Sequence, residues 1–283
     1  MSVVVAAAVL MLALVETVNA FVAPSWAPSK KDWAAAAAEV RAGFRPGDLI
    51  IASPAWADPL MRQQLGDLVP MPVAGRMDSA CYGRIWELSQ RGARAADTAG
   101  ARVAVSSRHG ALTLKRWEKA AAKVTFDFVA EWRQASATVV NADGTEVPCT
   151  MGPNRWQCLG GASLGPELLE IDTTLRNGMG VEPVEGKTVV LEYKNVALAR
   201  ELVVATGLHN VWLRKSGDGK VRVRVLVDGH AMDTIEATSA SGWSLDHLAI
   251  SALQGQPATW RFEFTVDKAN ARHLGFAAEV RNP

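Results

Sequence analysis

The stretch Lys220–Gly229, KVRVRVLVDG, alternates valine with arginine. Because successive side chains of a β-strand point to opposite faces, this alternation predicts a strand with one apolar face and one basic face. The stretch Thr259–Val266, TWRFEFTV, repeats the pattern with aromatic residues. The side chains predicted to lie on the apolar faces of these two strands are Val221, Val223, Val225, Val227, Trp260, Phe262, Phe264 and Val266.

Residues 111–283 contain many more short strand-like pieces, which turn residues separate. Examples are ALTLKRW, KVTFDFVA, KTVVLEY and ELVVATG. Short strands at fairly even spacing, with no long helix between them, are typical of antiparallel sandwiches and jelly rolls. We therefore predict that residues 111–283 form an antiparallel β-sandwich of the jelly-roll type.

Residues 32–110 alternate helical and strand-like pieces instead. One helix is predicted with Asp32 as its N-cap, and a second with Asp58 as its N-cap and Pro59 at the first helical position. The pieces DLIIASP, GRIWELSQRG and ARVAVSS read as strands. This order is typical of a small α/β layer with parallel pairing. The fold class predicted for the chain is α+β, with a Rossmann-like α/β fragment followed by the β-sandwich and preceded by one apolar N-terminal helix.

Residues 1–23 open the chain with an apolar segment, MSVVVAAAVLMLALVETVNAFVA. Its uninterrupted run is shorter than the ~20 residues that a spanning helix usually needs, and it has the length of a signal-peptide h-region. Four interpretations stay open: a cleaved signal peptide, an uncleaved anchor, the last membrane helix of a longer protein, and a buried helix of a cytosolic protein. Export is favoured, and residues 24–31 are predicted to be a linker.

The cysteine pair Cys149 and Cys158 lies across a Gly-Pro-Asn turn. A structural zinc site needs about four ligands, and the spacing is not that of a C-x-x-C redox pair. A strand–turn–strand placement would bring the two cysteines opposite each other. We therefore predict a disulfide, which fits an oxidising, extracytoplasmic compartment. Cys81 is predicted to be a small buried side chain.

The composition argues against several classes of function. With 30 basic and 29 acidic residues the net charge is +1, whereas a nucleic-acid binder needs an excess of Lys and Arg. The histidines form no H-x-x-x-H pair, and neither G-x-G-x-x-G nor a P-loop is present. Gly161–Gly165 spells the G-x-S-x-G of a hydrolase, but strand-like sequence follows it where the hydrolase has a helix. No catalytic residue, metal or cofactor is predicted.

The candidate ligand-binding residues lie mainly in the predicted α/β layer. The carboxyl ends of parallel strands and the N-termini of helices favour ligands, and anions in particular. The residues at such an end are Trp56, Asp58 and Arg62, with Arg76, Asp78, Tyr82 and Arg84 following. In the β region, Trp243 lies beside a loop and is the tryptophan predicted to be an exposed platform for a sugar ring. The alternative is that Asp58 only caps a helix and that Trp243 is buried.

Two stretches resemble known families. Lys30–Leu68, KKDWAAAAAEVRAGFRPGDLIIASPAWADPLMRQQLGDL, resembles the extracytoplasmic region after the last membrane helix of bacterial polyprenyl-phosphate-sugar-type membrane glycosyltransferases. Val221–Gly229, Ser241–Ile250 and Ala258–Arg281 resemble a galactose-binding-like jelly roll, the fold of many carbohydrate-binding modules. The catalytic acidic residues of those glycosyltransferases lie near their first membrane helices, and no position of this chain corresponds to them.

Together these observations predict a non-catalytic protein of the cell envelope that binds a glycan or a lipid-linked sugar, or that assists a membrane glycosyltransferase. Its partners would be the membrane, through the N-terminal segment, and a glycan. One alternative is an enzyme that acts on a phosphorylated or glycosidic substrate at the end of the α/β sheet. The other is a purely structural envelope protein.

Overall fold

The valine–arginine stretch forms strand β14, Lys220–Val227, in a computed structural model of the protein. A tight turn joins it to β15, His230–Thr238. Asp228 and Gly229 form this turn, with φ angles of 48° and 79°. Positive φ at both central residues defines a type I′ turn, for which Asp-Gly is a favoured pair. The predicted alternation is confirmed, since Val221, Val223 and Val225 are buried.

The structure describes residues 2–22, 27–209, 220–238, 242–250, 255–268 and 273–282. The chain divides into two units. The first comprises Met1–Pro70 and Tyr82–Ala120, and the second comprises Met71–Cys81 and Ala121–Pro283. The sequence placed the boundary between residues 110 and 111, which would assign Leu112–Glu118 to the second domain. In the structure this strand belongs to the sheet of the first unit.

The first unit carries helices on a four-stranded sheet. Its elements are α1 (Ser2–Val22), α2 (Lys30–Gly43), β1 (Leu49–Ser53), α3 (Asp58–Leu65), β2 (Arg84–Gln90), β3 (Arg102–His109) and β4 (Leu112–Glu118). The strand order is β1-β2-β4-β3. β1 and β2 are parallel, as predicted, but β4 pairs antiparallel with both β2 and β3, so the sheet is mixed. The tight turn between β3 and β4 favours this antiparallel hairpin, because a parallel pair needs a long crossover.

The helix starts differ in detail from the prediction. Ser29, and not Asp32, is the N-cap of α2. Asp32 is the third helical residue and completes a capping box, because its carboxylate accepts the Ser29 backbone N–H at 2.8 Å. Asp58 is the first residue of α3, whose N-cap is Ala57. The cap function predicted for Asp58 is therefore wrong.

The second unit is an antiparallel β-sandwich, as predicted. Besides β14 and β15, its elements are α4 (Met71–Ala74), β5 (Lys123–Asp127), β6 (Ser136–Val140), β7 (Glu146–Pro148), β8 (Thr150–Met151), β9 (Trp156–Gln157), β10 (Ser163–Ile171), β11 (Thr174–Glu182), β12 (Thr188–Ala197), β13 (Glu201–Leu208), β16 (Ser244–Ala249), β17 (Pro257–Val266) and β18 (Leu274–Asn282). One sheet has the order β16-β13-β18-β11-β10-β9-β8, with β5 on β18, and the other β15-β14-β17-β12-β6-β7.

Aromatic side chains from both sheets fill the core between them. Phe262 of β17 meets Phe276 of β18 with the ring centroids 5.0 Å apart, in an edge-on arrangement that aromatic pairs favour. Phe128, which follows β5, contacts both Trp260 and Phe262. Every second residue of β17 is buried in this core, as expected where the inner faces of two sandwich sheets interdigitate.

The predicted disulfide between Cys149 and Cys158 is confirmed. Cys149 lies between β7 of the six-stranded sheet and β8 of the eight-stranded sheet. Cys158 directly follows β9, which pairs with β8 across the Gly152–Arg155 turn. The bond therefore staples the corner at which the chain passes from one sheet to the other. A closed loop of this size contributes about 2 to 3 kcal/mol in the chain-entropy account.

Glycines form a row across the outer face of the eight-stranded sheet. Gly165, Gly180, Gly275 and Gly207 are register neighbours on four adjacent strands. A Cβ at Gly275 would lie 2.5 Å from Cη2 of Trp243 and 2.9 Å from Cδ1 of Ile171. Because glycine has no side chain, two large residues can lie directly on the sheet. They are Trp243 and Ile171, the last residue of β10 at the tip of the β10–β11 hairpin.

The apolar N-terminal segment forms helix α1, and the side chains described in it are exposed. Among the residues that the structure describes, no helix is long and apolar enough to cross a membrane.

Candidate functional site

Trp56 is an exposed tryptophan of the first unit. Of the eight tryptophans in the described ranges, six are buried, Trp243 is half-buried, and Trp56 is 62% exposed. A short 3₁₀ turn, Ala55–Ala57, carries it directly after β1. Ala57 is fully buried and anchors the turn, so the neighbouring indole is held outward. Tryptophan is usually well buried, and a fixed exposed indole therefore indicates a contact surface.

Asp58 and Arg62 contact each other beside this turn. The Arg62 Nε donates to Asp58 Oδ2 at 2.5 Å across one turn of α3. The Arg62 Nη1 also donates to the carbonyl of Val69 at 3.2 Å. Both side chains are about one-third exposed. The guanidinium is thus fixed by two contacts while donors and carboxylate oxygens remain accessible near Trp56.

Trp243, predicted to be an exposed platform, is half-buried in the structure. Its Nε1 donates to the carbonyl of Thr174 at 3.0 Å. Its ring lies on Gly275, and the Arg176 guanidinium lies 5.5 Å from the ring centroid. The indole therefore binds the β10–β11 hairpin to the outer face of the sheet. These contacts explain Trp243 as a packing residue.

Asp78 and Arg76 lie in the segment Met71–Cys81 of the second unit, and Arg76 is half-buried there. Asp78 Oδ2 accepts from Nη1 of Arg281 at 2.7 Å, and its Oδ1 accepts the Ala80 backbone N–H at 2.8 Å. Arg281 is 1% exposed and also donates through Nε to Glu279 at 2.7 Å. Because a buried guanidinium needs charged acceptors, Asp78 holds this segment to the sheet.

The two carboxylates that bind Arg281 have pKa values shifted in opposite directions. Burial raises the pKa of Asp78, but the hydrogen bond and charge of Arg281 outweigh burial and hold it below the ordinary 3.8. For Glu279 burial wins, and its pKa lies above the ordinary 4.5. The lowered pKa means that Asp78 stabilises the fold above about pH 4 and that this contribution disappears as the pH falls through the folded pKa.

Four polar residues next to the glycine row, Ser163, Glu182, His273 and His209, form a polar row that the sequence did not predict. Ser163 donates to Glu182 Oε2 at 2.9 Å, and Glu182 Oε1 lies 3.5 Å from Nδ1 of His273. The ring of His209 lies 4.8 Å from that of His273, centroid to centroid. Ser163 is the first residue of β10 and bonds to a carboxylate, so it has no nucleophile-elbow geometry.

Metal ligation has no geometric support in the described ranges, where no three His, Cys, Asp or Glu side chains converge in a way that could hold an ion. The polar row contains two imidazoles and one carboxylate, but their arrangement does not make such a group. Its hydrogen bonds link neighbouring strands of the eight-stranded sheet.

The solved structures that are similar to the chain include carbohydrate-binding modules. No family model and no curated protein sequence matches the chain. Similar solved structures include CBM51-2 with GlcNAc and INT domains from Clostridium perfringens ZmpB, with 15% identity, a TM-score of 0.33 and coverage of 57% of this chain and 40% of that one.

Tandem CBM51 modules of the Streptococcus pneumoniae SP3-BS71 family 98 glycoside hydrolase share 13% identity, with a TM-score of 0.34 and coverage of 62% and 57%. The carbohydrate-binding module CBM36, in complex with calcium and xylotriose, shares 11%, with a TM-score of 0.28 and coverage of 44% and 91%. The chain thus spans 40% and 57% of the first two chains. Similarity at this level identifies no ligand for this chain.

Substitution of Asp78 by Asn tests its assigned function as an anchor. The change leaves the buried Arg281 without one of its two charged acceptors, and we expect a loss of about 3 kcal/mol in the free energy of unfolding at neutral pH. The difference from the wild type should narrow at a pH below the folded pKa of Asp78, which lies below the ordinary 3.8, because Asp78 is then protonated in the wild type as well. Urea denaturation at both pH values measures this.

Asp267→Asn is the matched control, since Asp267 pairs with Arg222 on the surface of the same unit, where both side chains are more than 40% exposed. We expect it to cost less than about 1 kcal/mol. Equal losses for the two variants would show that Asp78 has no special function in holding the segment.

Proposed function

We propose that this protein is a non-catalytic, extracytoplasmic glycan-binding protein and that Trp56 is the platform on which a sugar ring stacks. The exposed indole at the end of β1 is the observation that carries the proposal. A pyranose has an apolar face formed by its C–H groups, and an indole offers a flat apolar surface of matching size with a polar edge. Stacking covers the indole and orients the ring hydroxyls toward neighbouring polar groups.

The Asp58–Arg62 pair supplies those polar groups. A sugar hydroxyl both donates and accepts hydrogen bonds. The carboxylate can accept from it and the guanidinium can donate to it. Hydrogen bonds to charged partners are stronger than neutral ones. Because the contacts to Asp58 and Val69 already fix Arg62, little side-chain entropy is lost when a ligand binds. A fixed platform and a fixed polar pair together favour recognition of a neutral saccharide.

An extracytoplasmic location rests on two observations. The Cys149–Cys158 disulfide is formed, and such bonds persist in oxidising compartments. The N-terminal helix α1 has exposed apolar side chains, as a signal peptide or anchor segment would. The intact mass of alkylated, non-reduced protein from its native host checks this. We expect one alkylated cysteine and one disulfide, and three alkylated cysteines would contradict export.

Assistance to a membrane glycosyltransferase is the narrower form of the proposal. Its support is the sequence resemblance of Lys30–Leu68, the region that contains Trp56, Asp58 and Arg62. A glycan held on this surface would be a substrate or product of sugar transfer. Co-purification of a membrane glycosyltransferase with the protein from its host would support the association, and its absence from cross-linked envelope fractions would contradict it.

The substitution Trp56→Ala tests the binding platform. It removes the stacking surface from an exposed position, and we expect at least about a tenfold loss of affinity without loss of folding. The measurement is binding of the full chain to an array of neutral hexose and N-acetylhexosamine oligosaccharides. Trp56→Tyr should keep most of the affinity, because a phenol ring still stacks.

Trp243→Phe is the control on the second unit, and it should leave binding unchanged while lowering stability. Absence of binding to every oligosaccharide would contradict glycan recognition. Binding that survives in Trp56→Ala would show that the platform lies elsewhere.

A further inference from the structure

An open cavity of about 570 Å³ lies in the first unit, away from Trp56. Residues at the beginnings of β2 and β3 and at the end of β4 line it: Gly83, Arg84, Gly100, Arg102, Glu118, Lys119 and Ala120. Its volume is that of a pocket for a small organic ligand. Three of the seven lining residues are cationic, and one is anionic.

Arg84, which lines the cavity, has side-chain N–H groups that make no hydrogen bond. Its Nη2 donates to the carbonyl of Gly43 at 2.7 Å and lies 3.3 Å from the buried carboxylate of Asp48. Its Nε and Nη1 are buried and have no hydrogen-bond partner. A buried donor without an acceptor costs about 1 to 3 kcal/mol, and more when the group is charged. An acceptor in the cavity removes that cost once the Arg84 side chain, which is 16% exposed, turns these two donors toward it.

The other charges around the cavity leave it electropositive. Glu118 lies 3.1 Å from Arg102 and 3.2 Å from Arg116, so two guanidiniums share this one carboxylate. Arg102 is 80% exposed and free to turn toward a ligand. Lys119 donates through Nζ to the carbonyl of Asp97 at 3.3 Å. A guanidinium presents paired N–H groups in a planar fork that matches carboxylate and phosphate oxygens.

The cavity is distinct from the proposed sugar platform. In the parallel pair β1–β2, Leu49 faces Ile85 and Ser53 faces Ser89. Arg84 therefore lies at the beginning of these strands, whereas Trp56 follows the end of β1. Five strand residues separate the two ends by about 16 Å. Binding at one end does not require the other.

We propose that this cavity binds an oxyanion, namely a phosphate or carboxylate group carried by a molecule of about monosaccharide size. Arg84 and Arg102 are its principal ligands, and Lys119 adds positive charge. A sugar phosphate or a uronic acid combines such a group with hydroxyls that fill the remaining volume. The site goes beyond the neutral glycan recognition proposed for Trp56 and does not depend on it.

Calorimetric titration of the full chain with glucose 1-phosphate, glucuronate, inorganic phosphate and glucose tests the proposal. We expect saturable binding of at least one of the three anions and none of glucose at the same concentrations. Arg102→Gln should weaken anion binding by at least about tenfold, since it removes a charge-assisted contact. Arg108→Gln is the matched control, because Arg108 is exposed on the same strand and does not line the cavity.

The three anions also identify the chemistry that is recognised. Equal affinities for glucose 1-phosphate and inorganic phosphate would show that the phosphate group alone is bound, and a preference for glucuronate would assign the site to carboxylates. The proposal is overturned if no anion saturates, if glucose binds as tightly as the anions, or if Arg108→Gln weakens binding as much as Arg102→Gln. Trp56→Ala should leave anion binding unchanged, which separates this test from that of the sugar platform.

Discussion

The aromatic contact between the two sheets of the sandwich is the constraint on which the second unit depends. Phe262 and Phe276 meet at its centre, and each strand that joins this core must direct alternate residues inward. Register then fixes what each strand presents outward, because a shift by one residue would exchange the two faces. On the eight-stranded sheet the outward residues include the glycine row. That row is the reason why Trp243 and the β10–β11 hairpin can cover the sheet.

The packing of Trp243 against the sheet and the hairpin explains why Trp56, and not Trp243, is the candidate for binding a sugar. Trp243 is half-buried and is held by Thr174, Gly275 and Arg176, so less of its ring is open to a ligand than in Trp56. The six buried tryptophans belong to the interiors of the two units. Trp56 differs because a short turn with a buried alanine presents it outward at the end of a strand. The proposed recognition of sugar by the first unit follows from this difference.

Local patterns predicted much of the architecture. The valine–arginine alternation predicted β14, the two cysteines predicted a stapled turn, and the helix–strand order predicted the parallel β1–β2 pair. Pairings between distant residues were not predictable, because short-range patterns do not encode them. The antiparallel addition of β4 to β2 and the meeting of Glu182 with His273 are of this kind. Trp243 beside Gly242 suggested an exposed loop, whereas its surroundings depend on Gly275 and Thr174, which lie far away in the sequence.

The indole N–H resonances of the full chain give the most direct test of the account, with Trp56 and Trp243 assigned from single phenylalanine variants. A glycan that binds in the array measurement is titrated in, and the indole ¹H–¹⁵N signals are followed. The account predicts that the Trp56 signal shifts and saturates with the glycan, while the Trp243 signal stays in place because its N–H remains bonded to Thr174. Saturating shifts at Trp243 with none at Trp56 would contradict it and would move the binding surface to the sandwich.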